Sequence, residues 1–195
     1  MGTIVKIQLP TDRKKTGTLI LVSTTTGLTL FGPAPVLGRA ARNTAAAKGN
    51  ASADPLKPFG DTPKGTYKVN NIVKNGAGTM RPEVQYGESG SIVLDPSAGD
   101  ALIAKNNGRT GILIHAGRHA NSSVVTPAAL KPTNGCIRMR DWDLNLLIEA
   151  IKNNTILFPG EVTVEIGGPD GPLGDIDETV DDGDPPPMLG PIILP

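Results

Sequence analysis

Short apolar segments at period two run through this chain, each ended within a few residues by glycine, proline or an Asx turn. Such segments are too short for helices and present one apolar face, so they allow little except a β-rich fold. Residues 4–9 alternate and stop at Pro10. Residues 18–23 and 28–31 follow, and the Thr-rich turn with Gly27 between them predicts a hairpin. The pattern resumes at 66–69 and 72–73 after the turn Thr62-Pro63-Lys64-Gly65. Residues 91–94 and 111–114 read as buried strands, bounded by Asp95-Pro96 and by Asn106-Asn107-Gly108, and 161–166 as a last strand. One helix is predicted. Asp141 can cap it, Trp142, Leu146, Leu147, Ala150 and Ile151 recur at helical spacing, and Asn153-Asn154 end it. Residues 38–63 fit neither period. A loop of that size is functional or conceals an element, and a helical turn fits near residues 39–48.

At 195 residues the chain suits one domain, over residues 1–166, with an appendage at 167–195. The formal charge of zero hides an asymmetry. Residues 1–160 carry all 19 basic side chains and 10 of the 19 acidic ones, whereas residues 161–195 carry nine acids and no base. A basic body can meet an anionic polymer or its own tail, and a solvated acidic end is the alternative. The tail holds Pro185-Pro186-Pro187 and then apolar Met188-Leu189 and Ile192-Ile193-Leu194, compatible with an extended segment lying on the body. Aromatic residues make up 3%, which argues against stacking platforms for single-stranded nucleic acid. No apolar run reaches membrane-spanning length. Arg13-Lys14-Lys15 followed by residues 19–22 is too short an imitation of a signal peptide, so synthesis in the cytoplasm without a signal is expected.

The only cysteine, Cys136, excludes an internal disulfide and directs attention to thiol chemistry. His115 closes a predicted strand 21 residues upstream, and Gly135 precedes Cys136. A histidine can deprotonate a thiol or pair with it as imidazolium. Glycine before a nucleophile lets backbone N–H groups approach a developing oxyanion. Arg138 would share a strand face with Cys136, where it could lower the thiol pKa or bind a carboxylate. A lone cysteine is more often a small buried hydrophobe, so the pair alone leaves both readings open. His119, in the polar stretch 118–123, reads as a loop residue or a substrate contact. Residues 175–178 lack the glycine of a calcium loop, and neither metal nor cofactor is expected.

His115, a gap, and then Thr133-Asn134-Gly135-Cys136-Ile137-Arg138-Met139 resemble the signature of the L,D-transpeptidase catalytic domain (YkuD-type). Thr62-Pro63-Lys64-Gly65-Thr66-Tyr67 resembles that family's Thr-Pro-x-Gly-x-Tyr turn and strand. Residues 91–95 and 111–115 resemble the strands leading to its histidine, so the likeness covers about residues 18–166. It implies a mostly β, sandwich-like domain that attacks peptidoglycan stem peptides with a thiolate. Cys136 would be the nucleophile and His115 the base, oriented by the Ala116 carbonyl. The backbone N–H groups of Gly135 and Cys136 would hold the oxyanion, and Arg138 would assist substrate or thiolate charge. Thr133, Asn134, Ala116, Gly117 and His119 would contact substrate. The family usually has histidine where this chain has Asn134, which puts acceptor choice in question. Secreted antibacterial relatives with that departure trim or exchange the terminal D-residue.

The expectation is therefore an L,D-carboxypeptidase or D-amino-acid exchanger acting in the periplasm or cell wall. Delivery into a rival cell by a specialised machine such as type VI secretion is expected, with an immunity protein in the producer. The alternatives are a resident enzyme forming 3-3 crosslinks and a non-catalytic wall-binding domain.

Overall fold

The computed structural model describes residues 2–117, 130–157 and 160–168. His119 and most of the acidic tail lie outside the described residues. In chain order the elements are β1 (Thr3–Gln8), β2 (Gly17–Ser23), β3 (Thr29–Leu37), α1 (Arg42–Ala47) and β4 (Gly65–Val73). Then come α2 (Glu83–Tyr86), β5 (Ser91–Ala98), α3 (Asp100–Asn106), β6 (Leu113–His115), β7 (Ile137–Met139), α4 (Asp141–Leu157) and β8 (Val162–Gly167).

The expected sandwich is corrected to a closed barrel, ordered β1-β2-β3-β7-β6-β5-β4-β8. Closure comes from β8, which runs parallel to β1 on one side and antiparallel to β4 on the other. Pairing both edges of β8 leaves no open sheet edge there. Alternation sends Val5 and Ile7 of β1, Leu19 and Leu21 of β2, and Val162, Val164 and Ile166 of β8 into one core. Tyr67 is fully buried there, its hydroxyl donating to the Pro63 carbonyl at 2.8 Å, so the Thr-Pro-x-Gly-x-Tyr turn is stapled to the core.

The first hairpin forms as predicted, with β1 pairing β2 antiparallel, and β2 in turn pairing β3. Two strands run further than proline content suggests. β3 continues through Pro33 and Pro35, and β5 through Pro96 to Ala98. Register shifts between Leu19 and Leu21 and between Thr66 and Tyr67 accompany them, and such bulges relieve the pairing that proline cannot make.

The long helix is α4, reaching Leu157 rather than ending at Asn153-Asn154. Its core side is Leu144, Leu147, Ile148 and Ile151, and it packs against β3 and β6. Trp142 and Leu146, expected on that side by their spacing, are 73% and 37% exposed, whereas Leu144 and Ile148 take the core positions. Asp141 is not the cap: Leu144 N–H bonds to Arg140 O, and Asp141 Oδ1 turns to the Ser89 N–H at 3.3 Å. Among the described residues no helix is long and apolar enough to cross a membrane.

The 38–63 segment carries α1, close to the predicted helical turn, and is ordered by its own polar side chains. Asn50 bonds through Nδ2 to the carbonyls of Asp54 and Pro58 and through Oδ1 to the Asp54 N–H. Asp61 accepts from the Ala40 N–H at 2.8 Å and from Arg42 at 3.1 Å. Beneath these bonds Ala40, Ala45 and Ala53 form a small satellite core with Phe59 against it.

Candidate active site

Strands β6 and β7 pair in parallel, with Ile114 opposite Ile137 and His115 opposite Arg138. Ile114 and Ile137 enter the barrel core, so alternation places His115 and Arg138 on the other face. Cys136, two residues before Arg138, continues that face in register with Leu113. A separation of 21 residues in the chain thus becomes adjacency on two neighbouring strands.

Cys136 is half-buried and lines a cleft of about 390 Å³. Pro58 and Phe59 form one wall, Tyr86 another, and residues 108–113 and 134–136 the remainder. Phe59 holds a left-handed backbone (φ 60°), uncommon for a non-glycine residue and kept here by the surrounding loop bonds. The Cys136 thiol donates to the Gly111 carbonyl at 3.5 Å. His115, 3% exposed, places Nδ1 2.8 Å from the Ala116 carbonyl. A carbonyl only accepts, so Nδ1 carries the proton and Nε2 is left basic. The Tyr86 ring packs on the imidazole at 4.9 Å between centroids, and the Tyr86 carbonyl accepts from Ala116 N–H at 3.0 Å.

Several residues expected to meet substrate are committed to the protein. Gly135 N–H, expected at the oxyanion, donates instead to Thr133 Oγ1 at 2.9 Å, and Thr133 in turn donates to the Cys136 carbonyl at 2.9 Å. The turn closes on itself because a threonine two residues before glycine reaches back to its amide. Arg138 donates to the carbonyls of Ala116 (3.0 Å) and Gly117, and its charge favours the Cys136 thiolate. Ala116 and Gly117 are buried and contribute carbonyls, whereas Asn134 is exposed on the cleft.

Three contributors escape sequence reasoning. Thr62 Oγ1 reaches the carbonyls of Gly135 (3.1 Å) and Cys136 (3.3 Å), a role for the Thr-Pro turn that only the fold discloses. Asn75 Nδ2 donates to the carbonyls of Tyr86 and Gly87, each at 3.0 Å, which holds the segment under His115. Arg109 reaches the Gly135 carbonyl at 2.9 Å, although by sequence it only follows an Asn-Asn-Gly turn. Among the described residues no group of three or more His, Cys, Asp or Glu side chains is placed to hold a metal ion.

Burial pushes His115 down to about 3, the Arg138 charge adds to the fall, and the Ala116 hydrogen bond opposes it. Burial pushes the Cys136 thiol up, against the opposing pull of the Leu113 N–H, Arg109 and Arg138. Thiol and imidazole are therefore both neutral at rest. An imidazolium–thiolate pair is not the resting state, and the arrangement suits proton transfer as the sulfur attacks.

The depressed histidine has a consequence for stability. Unfolded, His115 takes a proton below its ordinary value of 6.5; folded, it does so only near 3. Its contribution is complete above pH 6.5 and is lost as pH falls toward 3. Between pH 6.5 and 5 the expected loss is about 2 kcal/mol, and His115→Gln removes that dependence. Urea midpoints over this range check it; a flat wild-type profile would mean that protons reach the folded imidazole freely.

The family model for the L,D-transpeptidase catalytic domain (YkuD) matches residues 18–166 of the chain. No curated protein matches it.

Proposed function

The chain belongs to the L,D-transpeptidase catalytic domain family, whose members act on cell-wall peptidoglycan, and from that membership we propose a cysteine-dependent enzyme that opens the L-to-D amide of tetrapeptide stems through a thioester on Cys136. The supporting observation is the pairing of β6, which ends in His115, with β7, which Cys136 immediately precedes, while His115 Nδ1 is tied to the Ala116 carbonyl and Nε2 is left as the proton acceptor.

The thiol proton passes to His115 Nε2 as Sγ bonds to the amide carbonyl carbon, and the carbonyl oxygen takes the electron pair. The Cys136 N–H donates to that oxygen, since the Gly135 N–H is occupied by Thr133. Collapse breaks the C–N bond, and the departing D-residue amine takes the proton from His115. Water or the amine of a free D-amino acid then attacks the thioester, gives its proton to His115, and the returning sulfur recovers it. Metal is not required by these steps.

Trimming or exchange, in preference to crosslinking, is supported by Asn134, exposed on the cleft where the family usually has histidine. The antibacterial-effector setting, with a dedicated delivery route and an immunity protein, rests on that same departure.

Mass spectrometry of disaccharide-tetrapeptide tests the reading, using the protein and an iodoacetamide-treated sample, with D-methionine in parallel tubes. Thiol-dependent loss of the terminal D-alanine, or its replacement by D-methionine, is expected. Crosslinked dimers without tripeptide would instead identify a resident transpeptidase. Absence of any thiol-dependent product would leave a wall-binding domain.

A further inference from the structure

The geometry points to Arg109 as a positioning residue of this site: its buried guanidinium sets the plane of the Gly135–Cys136 peptide and keeps a positive charge beside the nucleophile. The role in turnover rests on the function proposed above.

Arg109 follows the last turn of α3, its N–H bonded to the Ala104 carbonyl at 3.0 Å, and its side chain runs inward to 4% exposure. Nη1 donates to the carbonyls of Pro55 (2.7 Å) and Lys57 (3.1 Å), and Nη2 to those of Gly60 (2.8 Å) and Gly135 (2.9 Å). Three of these acceptors belong to the segment whose Pro58 and Phe59 wall the cleft; the fourth belongs to the nucleophile turn. One planar side chain therefore ties a cleft wall to the reacting residue.

The peptide between Gly135 and Cys136 is trans, as Gly32-Pro33 is the cis bond of the described chain. In a trans peptide the C=O and the following N–H point in opposite directions. With the Gly135 oxygen held by Arg109 Nη2 and Thr62 Oγ1, the Cys136 N–H is directed away from both. Turning that N–H elsewhere would break both bonds. The oxyanion donor is thereby oriented before substrate arrives, which is the form of electrostatic catalysis that costs no reorganisation during reaction.

All four acceptors are uncharged, and among the described residues no carboxylate forms an ion pair with Arg109. The Asp61 charge favours the cation only from beyond contact distance, and burying a cation with no anion in contact is costly, so fixing carbonyls alone is a poor account of an arginine here. The deprotonated Cys136 sulfur is the anion that would complete it, and the two groups favour each other's charged forms. Arg138 also favours the thiolate, but its guanidinium is bound to the carbonyls beside His115. The Arg109 guanidinium instead bonds the Gly135 carbonyl of the turn that carries the sulfur.

The test compares Arg109→Gln with Arg109→Lys, each first shown to fold by near-UV circular dichroism. Two readouts are taken: the iodoacetamide rate constant of Cys136 at pH 8, and kcat and KM on disaccharide-tetrapeptide. Arg109→Gln should alkylate about tenfold more slowly and lose about 100-fold in kcat, with KM within about fivefold. Arg109→Lys keeps the charge but meets fewer carbonyls; it should alkylate within about twofold of wild type and lose about tenfold in kcat. Unchanged alkylation in folded Arg109→Gln, or wild-type kcat in Arg109→Lys, would overturn the assignment. Should Arg109→Gln not fold, the lysine variant decides, and equal loss of both its readouts counts against the charge role. Alkylation needs no substrate, so a wild type inactive on tetrapeptide would fail the functional reading while still reporting on Arg109.

Discussion

Replacing Cys136 with alanine is expected to abolish turnover of tetrapeptide stems and leave the fold intact. The chain has no other thiol to substitute for it. The sulfur's hydrogen bonds are weak ones, a donation at 3.5 Å to the Gly111 carbonyl and an acceptance from the Leu113 N–H, so removing it should change stability by less than about 1 kcal/mol. The catalytic loss should reach about 10⁴-fold or more, since what remains is only orientation and one oxyanion donor. Cys136→Ser should be nearly as inactive. A hydroxyl is far less acidic than a thiol, so transfer of its proton to the neutral His115 imidazole is correspondingly harder. Product formation by mass spectrometry and a thermal melt of each variant check this. Activity above about a hundredth of wild type in the alanine variant would remove Cys136 from the mechanism.

The second large effect is expected at Gly135. Its φ of +101° lies where side chains are disfavoured, and an added Cβ would overlap both the Gly60 carbonyl oxygen and Arg109 Nη2. Neither neighbour can withdraw easily. Gly60 is held by its own bond to Arg109, and Arg109 is held by four carbonyls. Gly135→Ala should therefore lose about 10³-fold in kcat and about 2–4 kcal/mol of stability. Gly27→Ala is the control for backbone strain alone. Gly27 also has positive φ (+70°), but its Cβ would meet nothing within 4 Å. It should cost about 1 kcal/mol and leave kcat unchanged. Equal behaviour of the two variants would mean that crowding at the nucleophile turn is unimportant.

Local pattern was informative where one face of an element meets one core. Residues 4–9, 18–23 and 161–166 alternate because each lies half against the barrel interior, and their strands stand at nearly the expected positions. Helix α4 was legible from Leu147 and Ile151, but Trp142 matched the helical period without having any surface to cover. The predicted boundary at Asp95-Pro96 failed for a related reason. Proline removes one donor, and a bulged pairing with β4 absorbs that loss in a way local sequence does not disclose.

The active site divides along the same line. Cys136, His115 and the glycine before the cysteine were readable from the chain as candidates, because their chemistry is carried by residue type and order. Which groups hold them was decided by tertiary structure. Thr62 reaches Gly135 across 73 residues, Arg109 reaches Pro55 across 54 and Gly135 across 26, and Arg138 reaches Gly117 across 21. Periodicity states which side chains face inward, but it does not name the strand alongside, so neither barrel closure through β8 nor the β6–β7 register could be derived from it. The residue types proposed to react were written in the sequence. Their protonation, the direction of the amide that meets the oxyanion and the wall of the cleft follow from burial and from carbonyls that only the closed barrel brings together.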